Sequence, residues 1–157
     1  MTKKVIFLAI MSIIPLSISA HWTCDSVKRS AALSRARGIA QIFVQTRQAY
    51  TDYRTEKSPH IFAKSVSADN VRIYSPYPFP VNKFGGLHGI QERAAWKHLA
   101  NKKEIEYVHW ESNKLKYSIP DYMTAKCVAC HNKADSSPKT DWKVGDVRGI
   151  IEITVGY

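Results

Sequence analysis

The run Cys127-Val128-Ala129-Cys130-His131 sets two thiols three positions apart and an imidazole directly after the second. Thiols at this spacing can add across the two vinyl groups of a porphyrin, and the following histidine is then brought beneath the iron as an axial ligand. The motif predicts one covalently bound haem c, attached through Cys127 and Cys130, with His131 as the proximal ligand. Two other chemistries fit less well. A zinc site needs two further ligands, and no second pair with suitable spacing exists. A thioredoxin-like dithiol would open a helix after a strand, whereas a polar loop, Asn132 to Pro138, follows the motif here.

The late position of the motif constrains the other side of the iron. The 26 residues after His131 hold no His, Met or Cys, so a strong distal ligand must come from the N-terminal side. The candidates are Cys24, His21, His60, His88, His98, His109 and Met123. Met123 lies on the same short segment as Cys127 and reads as core. His98 and His109 fall in elements expected near the centre of the domain. Cys24 has the strongest case. It has no intramolecular partner once the other two cysteines hold haem, and it adjoins an expected helix start, where the dipole favours a thiolate. The competing reading is an oxidisable spare thiol. A lipoprotein cysteine is disfavoured by His21-Trp22-Thr23, which are not the small residues of a lipobox.

The compartment agrees with this chemistry. Met1 to Lys4 is basic, Val5 to Ile18 is an apolar run broken by Pro15, and Ser19-Ala20 offers small residues for cleavage. That is the layout of a secretory signal peptide over 1–20, and the apolar run is short for a spanning helix, which needs about 20 residues. The chain is expected to be periplasmic, with a membrane anchor as the alternative. The formal net charge is +10; loss of residues 1–20 removes Lys3 and Lys4 from the 23 basic residues and none of the 13 acidic ones, leaving +8. Such a surface suits an acidic redox partner or an anionic membrane face. Its basic residues are scattered, and nucleic acid is not an expected partner.

The elements that must position the motif can be read from periodicity. From about residue 25 to 57 the chain lacks Pro, and Ala32, Ala36, Ile39, Phe43, Thr46, Tyr50 and Tyr53 recur at steps of three and four, one stripe of a long helix. Asp25 or Ser26 can cap its start, and Lys57-Ser58-Pro59 ends it. Val71 to Tyr74 reads as a strand, stopped by Pro76, Pro78 and Pro80. Gly89 to Ala100 favours helix. Glu106 to Trp110 and Leu115 to Ile119 read as strands around a turn, and Trp142 to Val144 with Arg148 to Val155 as a closing hairpin. The expected fold is a single α+β domain over 21–157, with an antiparallel sheet and a long N-terminal helix.

Three stretches add a resemblance. Arg72 to Pro80, Tyr117 to Pro120, and the run from Cys127 through Asn132 and Ser136 to Gly149 are similar to the periplasmic PAS-like c-type haem sensor domains, over most of the chain beyond the signal segment. The resemblance implies a PAS-like antiparallel sheet flanked by helices, His131 as proximal ligand, and a cysteine near the mature N-terminus, here Cys24, as distal ligand. Such domains often precede a membrane helix and a signalling module. This chain stops at Tyr157, so a sensor would act through a separate membrane signalling protein.

Two functions compete. A redox or diatomic-gas sensor would exchange a weak distal ligand, and a small electron-transfer cytochrome would keep six-coordinate iron in both oxidation states. An enzyme is not expected, because no distal acid–base pair can be identified. Lys143 and Arg148 are candidates to pair with propionates, with solvated surface positions the plainer expectation.

Overall fold

A computed structural model describes residues 16–53 and 70–157, apart from Val81, Lys83, Phe84 and Lys102, with side chains from Cys24 onward except that of Tyr53. The elements are α1 (Leu16–Tyr53), β1 (Val71–Tyr74), α2 (Ile90–Leu99), β2 (Tyr107–Trp110), β3 (Lys114–Tyr122), α3 (Ala125–His131) and β4 (Val147–Gly156). The four strands form one antiparallel sheet in the order β1-β4-β3-β2. The expected α+β fold with a long N-terminal helix is present.

Alternation along the strands sorts their side chains onto two faces. Leu115 and Tyr117 of β3, with Ile151, Ile153 and Val155 of β4, share one face and meet Ala32, Ala36, Ala40 and Phe43 of α1. Three alanines leave little side chain between helix and sheet, so α1 can pack closely across the strands. The other face carries Tyr74 and Ile150, which pack with Leu99 of α2, while Trp96 and Tyr107 lie against this second cluster. Being central and covered on both faces, β4 reads almost continuously apolar, with Ile150, Ile151, Ile153 and Val155 all buried.

Three expectations need correction. The buried stripe of α1 steps from Ala36 to Ala40 and Phe43, while Ile39 is 37% exposed and Thr46 faces solvent. A four-residue step replaced a three-residue one, which turns the stripe so that Arg47 rather than Thr46 follows Phe43. The helix runs unbroken through residue 24, so neither Asp25 nor Ser26 caps a start there. The helix terminator at Lys57 to Pro59 and His60 lie outside the described residues. Finally, Trp142 to Val144 is not a strand; β4 pairs instead with β3 and β1, and Asn132 clasps Trp142 by accepting from its backbone N–H at 3.0 Å and donating to its carbonyl at 3.0 Å.

Candidate functional site

The end of β3 delivers the motif. Thr124 caps α3, its hydroxyl oxygen accepting from the Cys127 N–H at 3.4 Å and lying 3.1 Å from the Cys127 sulfur. Within α3, Cys130 follows Cys127 by three positions and His131 by four, so all three side chains share one side of a short helix. Because α3 begins just after β3, the sequence argument against a helix-borne dithiol fails. What distinguishes this helix is its ending on His131, whose ring meets Phe79 edge-on at 5.0 Å. Cys127 is half-buried and Cys130 exposed, both as free thiols.

Beside the motif lies a cleft on the α1 face of the sheet. Val44, Arg47, Gln48 and Thr51 of α1 form one wall, Pro120, Asp121 and Tyr122 of β3 the floor, and Thr124 and Cys127 the opposite rim. It is a small, open cleft with a cavity volume of about 160 Å³.

A charged chain crosses this site. Asp121 accepts from Arg47 Nη1 at 2.5 Å through one oxygen, and from Arg148 Nε at 3.0 Å and Nη2 at 2.5 Å through the other. Arg148 Nη1 lies 3.0 Å from His131 Nε2. Arginine can only donate, so Nε2 is the acceptor and the ring proton sits on Nδ1. Burial lowers the His131 pKa, with the Arg47 charge adding to the effect, so the imidazole is neutral at pH 7. Burial pushes the Asp121 carboxyl up and Arg47 pulls it back; two guanidiniums on its oxygens hold it as a carboxylate.

The structure brings Cys127, Cys130 and His131 together and leaves Cys24 apart. Arg47 marks the cleft, and 23 residues of continuous helix separate it from Cys24, about 35 Å at helical rise. Cys24 is exposed on a part of α1 that extends past the sheet. Its expected role as distal ligand is therefore not supported. His109 and His98 fail for another reason. His109 of β2 pairs with Lys116 of β3, on the sheet face opposite the cleft, and His98 is on α2, which packs on that face. There His98 pairs with Glu104 at 3.2 Å and stacks on Tyr107. Met123 is 1% exposed, within the core.

Arg148 is not a solvated surface residue either, since it is half-buried between Asp121 and His131. Sequence reasoning missed Asp121 and Arg47 altogether. The available signal was an acidic residue near the end of a strand, six positions before Cys127 on the motif side of Pro120, and a basic residue beside the helix stripe. Among the described residues, no group of three or more His, Cys, Asp or Glu side chains could hold a metal ion unaided.

The comparisons with known proteins agree with this architecture. No curated protein matches the chain. A solved structure, described as the crystal structure of the cyanobacterial heme-protein Tll0287, is similar at 18% identity with a TM-score of 0.60, covering 79% of this chain and 94% of that one. At this identity the likeness speaks for the fold. A family model described as Tll0287-like matches residues 27–156, and the chain belongs to that Tll0287-like family.

Proposed function

We propose that this chain is an exported c-type haem domain, holding one haem through Cys127 and Cys130 with His131 on the iron, and that it binds rather than catalyses. The observation that carries this reading is the shared placement of the two thiols and the imidazole on one side of α3, with Cys127 on the rim of the adjoining cleft. The donor set fits the group. Addition of each thiol across a vinyl group forms one carbon–sulfur bond, the thiol proton passing to the other vinyl carbon, with no external oxidant. The Nδ1–H tautomer of His131 already presents the Nε2 lone pair that iron requires. Likeness to a cyanobacterial heme-protein supports the same reading.

An iron-bound haem would supply reversible electron uptake and a coordination site for small ligands. Phe79 would fix the tilt of the His131 ring, and Arg47 and Arg148 would bring positive charge to the cofactor's acidic edge. Within that reading the domain is a redox or diatomic-ligand sensor acting through a separate membrane signalling partner from the periplasm. Helix α1 links the cleft to the far end of the domain, which favours sensing. The export reading rests on the basic, then apolar, then small-residue pattern of residues 1–20. Among the described residues no helix is long and apolar enough to cross a membrane. Electron transfer to an acidic partner is the second reading, favoured by the exposure of Cys130, which would leave one haem edge near solvent.

Absorption spectra of the purified holoprotein, ferric and ferrous, with and without CO, separate the two. Rapid CO binding to the ferrous form is expected for a sensor. A CO-inert ferrous form would replace that reading with electron transfer.

A further inference from the structure

Helix α2 covers the sheet face opposite the cleft, and its inner side is buried through Glu92, Ala95 and Leu99. Ile90, Arg93 and Lys97 follow one another at steps of three and four, so they form one stripe on the outer side, and all three are exposed. The loop after the helix folds back along its last turn. Asn101 Oδ1 accepts from the Lys103 N–H at 3.0 Å, and Glu104 meets His98 at 3.2 Å. Exposed Lys103 and Ile105 are thereby added at the C-terminal end of the stripe. Ile90 and Ile105 are each 77% exposed, the highest values among the described large apolar residues. The Glu92 carboxylate is turned inward, to Arg72 and to the backbone N–H groups of His88 and Gly89. Three cations therefore stand on this face against one exposed carboxylate, Glu104, which is itself paired with His98.

We propose that this face docks on an anionic lipid bilayer, with Arg93, Lys97 and Lys103 against acidic headgroups and Ile90 and Ile105 dipping into the interface. The inference is independent of haem and goes beyond the binding role above. Charge complementarity supplies the attraction, since each basic side chain held near an anionic leaflet strengthens binding roughly fivefold. The isoleucines select a bilayer over an acidic protein. They stand at opposite ends of a ten-residue helix, about 15 Å long, as separate knobs with charge between them. A protein interface needs instead a contiguous apolar core depleted of charge. Long basic side chains keep their charges among headgroups while neighbouring apolar ones enter the acyl boundary. Because α2 and the cleft lie on opposite faces of the sheet, docking leaves the cleft turned away from the bilayer.

The test mixes the purified, secreted protein with phosphatidylcholine vesicles, with or without phosphatidylglycerol, and sediments them. Wild type should bind the anionic vesicles and not the neutral ones, with an affinity that falls as salt rises. The Arg93→Glu, Lys97→Glu, Lys103→Glu variant should bind roughly a hundredfold more weakly, three charges at about fivefold each. A control with the same change in net charge, Lys28→Glu, Lys114→Glu, Lys143→Glu, alters exposed lysines elsewhere and should lose far less. Ile90→Ser, Ile105→Ser keeps every charge and should bind about tenfold more weakly; both side chains are exposed, so the fold is retained. Equal losses in the two charge variants would overturn the proposal, since binding would then follow net charge alone. So would wild-type affinity in the isoleucine variant, or equal binding to neutral vesicles. Wild-type protein that ignores anionic vesicles would overturn it as well, and would leave the face to an acidic protein.

Discussion

Arg148 Nη1 sits 3.0 Å from His131 Nε2, the same lone pair that iron ligation would use. The two uses are mutually exclusive. Were His131 to ligate iron as proposed, Arg148 would keep its bond to Asp121, already made at 2.5 Å. Asp121 also holds Arg47 of α1, so the carboxylate ties the motif helix, the sheet and the long helix into one unit.

Asp121→Asn keeps the shape but removes the charge that two guanidiniums share. Its side chain is 6% exposed, and leaving half-buried cations without their counter-charge costs about 3 kcal/mol. The apoprotein should melt roughly 6–12 °C lower than wild type by circular dichroism, taking about 2–4 °C per kcal/mol for a chain of this size. An unchanged melting temperature would show that the network contributes nothing.

Cys24→Ser should leave the ferric and ferrous spectra of the holoprotein superimposable on wild type, because about 35 Å of helix separates residue 24 from the cleft. The exposed Cys24 thiol should react readily with a maleimide in the native wild-type protein. A shifted ferric spectrum in the serine variant would restore the cysteine as an iron ligand.

Glu106 reports on how α1 is latched to the sheet. Arg37 grips it through two bonds, at 2.5 and 3.1 Å, and the Tyr117 hydroxyl donates to it at 2.9 Å. Arg37 holds the Glu106 carboxyl below its ordinary pKa, with a smaller contribution from Tyr117. A depressed carboxylate stabilises the fold above its unfolded pKa, about 4.3, and the benefit is lost as pH falls through the folded value. Urea melts should find Glu106→Gln less stable than wild type at pH 7, with the gap closing below about pH 4. A gap that widens on acidification would contradict the assignment.

Gly149 sits opposite Asp121 in the β3–β4 pair, next to a register shift. A Cβ there would lie 2.6 Å from the Tyr74 carbonyl oxygen, closer than atoms tolerate. Gly149→Ala should cost about 1–3 kcal/mol by forcing β1 away from β4, read from the denaturant midpoint.

Much of this arrangement was legible in the residues. The motif, the strand alternation and the long helix each carry a local signal, and Val71–Tyr74 coincides with β1. What could not be read was long-range. A one-residue error in the α1 stripe hid Arg47, since Thr46 and Arg47 differ only in which side of the helix the sheet claims. The role of Asp121 depends on partners 74 and 27 positions away. Cys24 looked like a ligand because its segment was read as a helix start, and continuous helix placed it far from the motif instead. His98 and His109 looked central, but the sheet turned them to the other face.

The most direct test of the account is whether haem stays on the polypeptide after denaturation. With the protein produced alongside a haem-attachment system, haem should remain with the chain under reducing, denaturing conditions and resist acidified organic solvent. The Cys127→Ser, Cys130→Ser double variant should lose it. Haem that extracts from the wild-type chain, or a wild-type chain that never acquires any, would contradict the central claim.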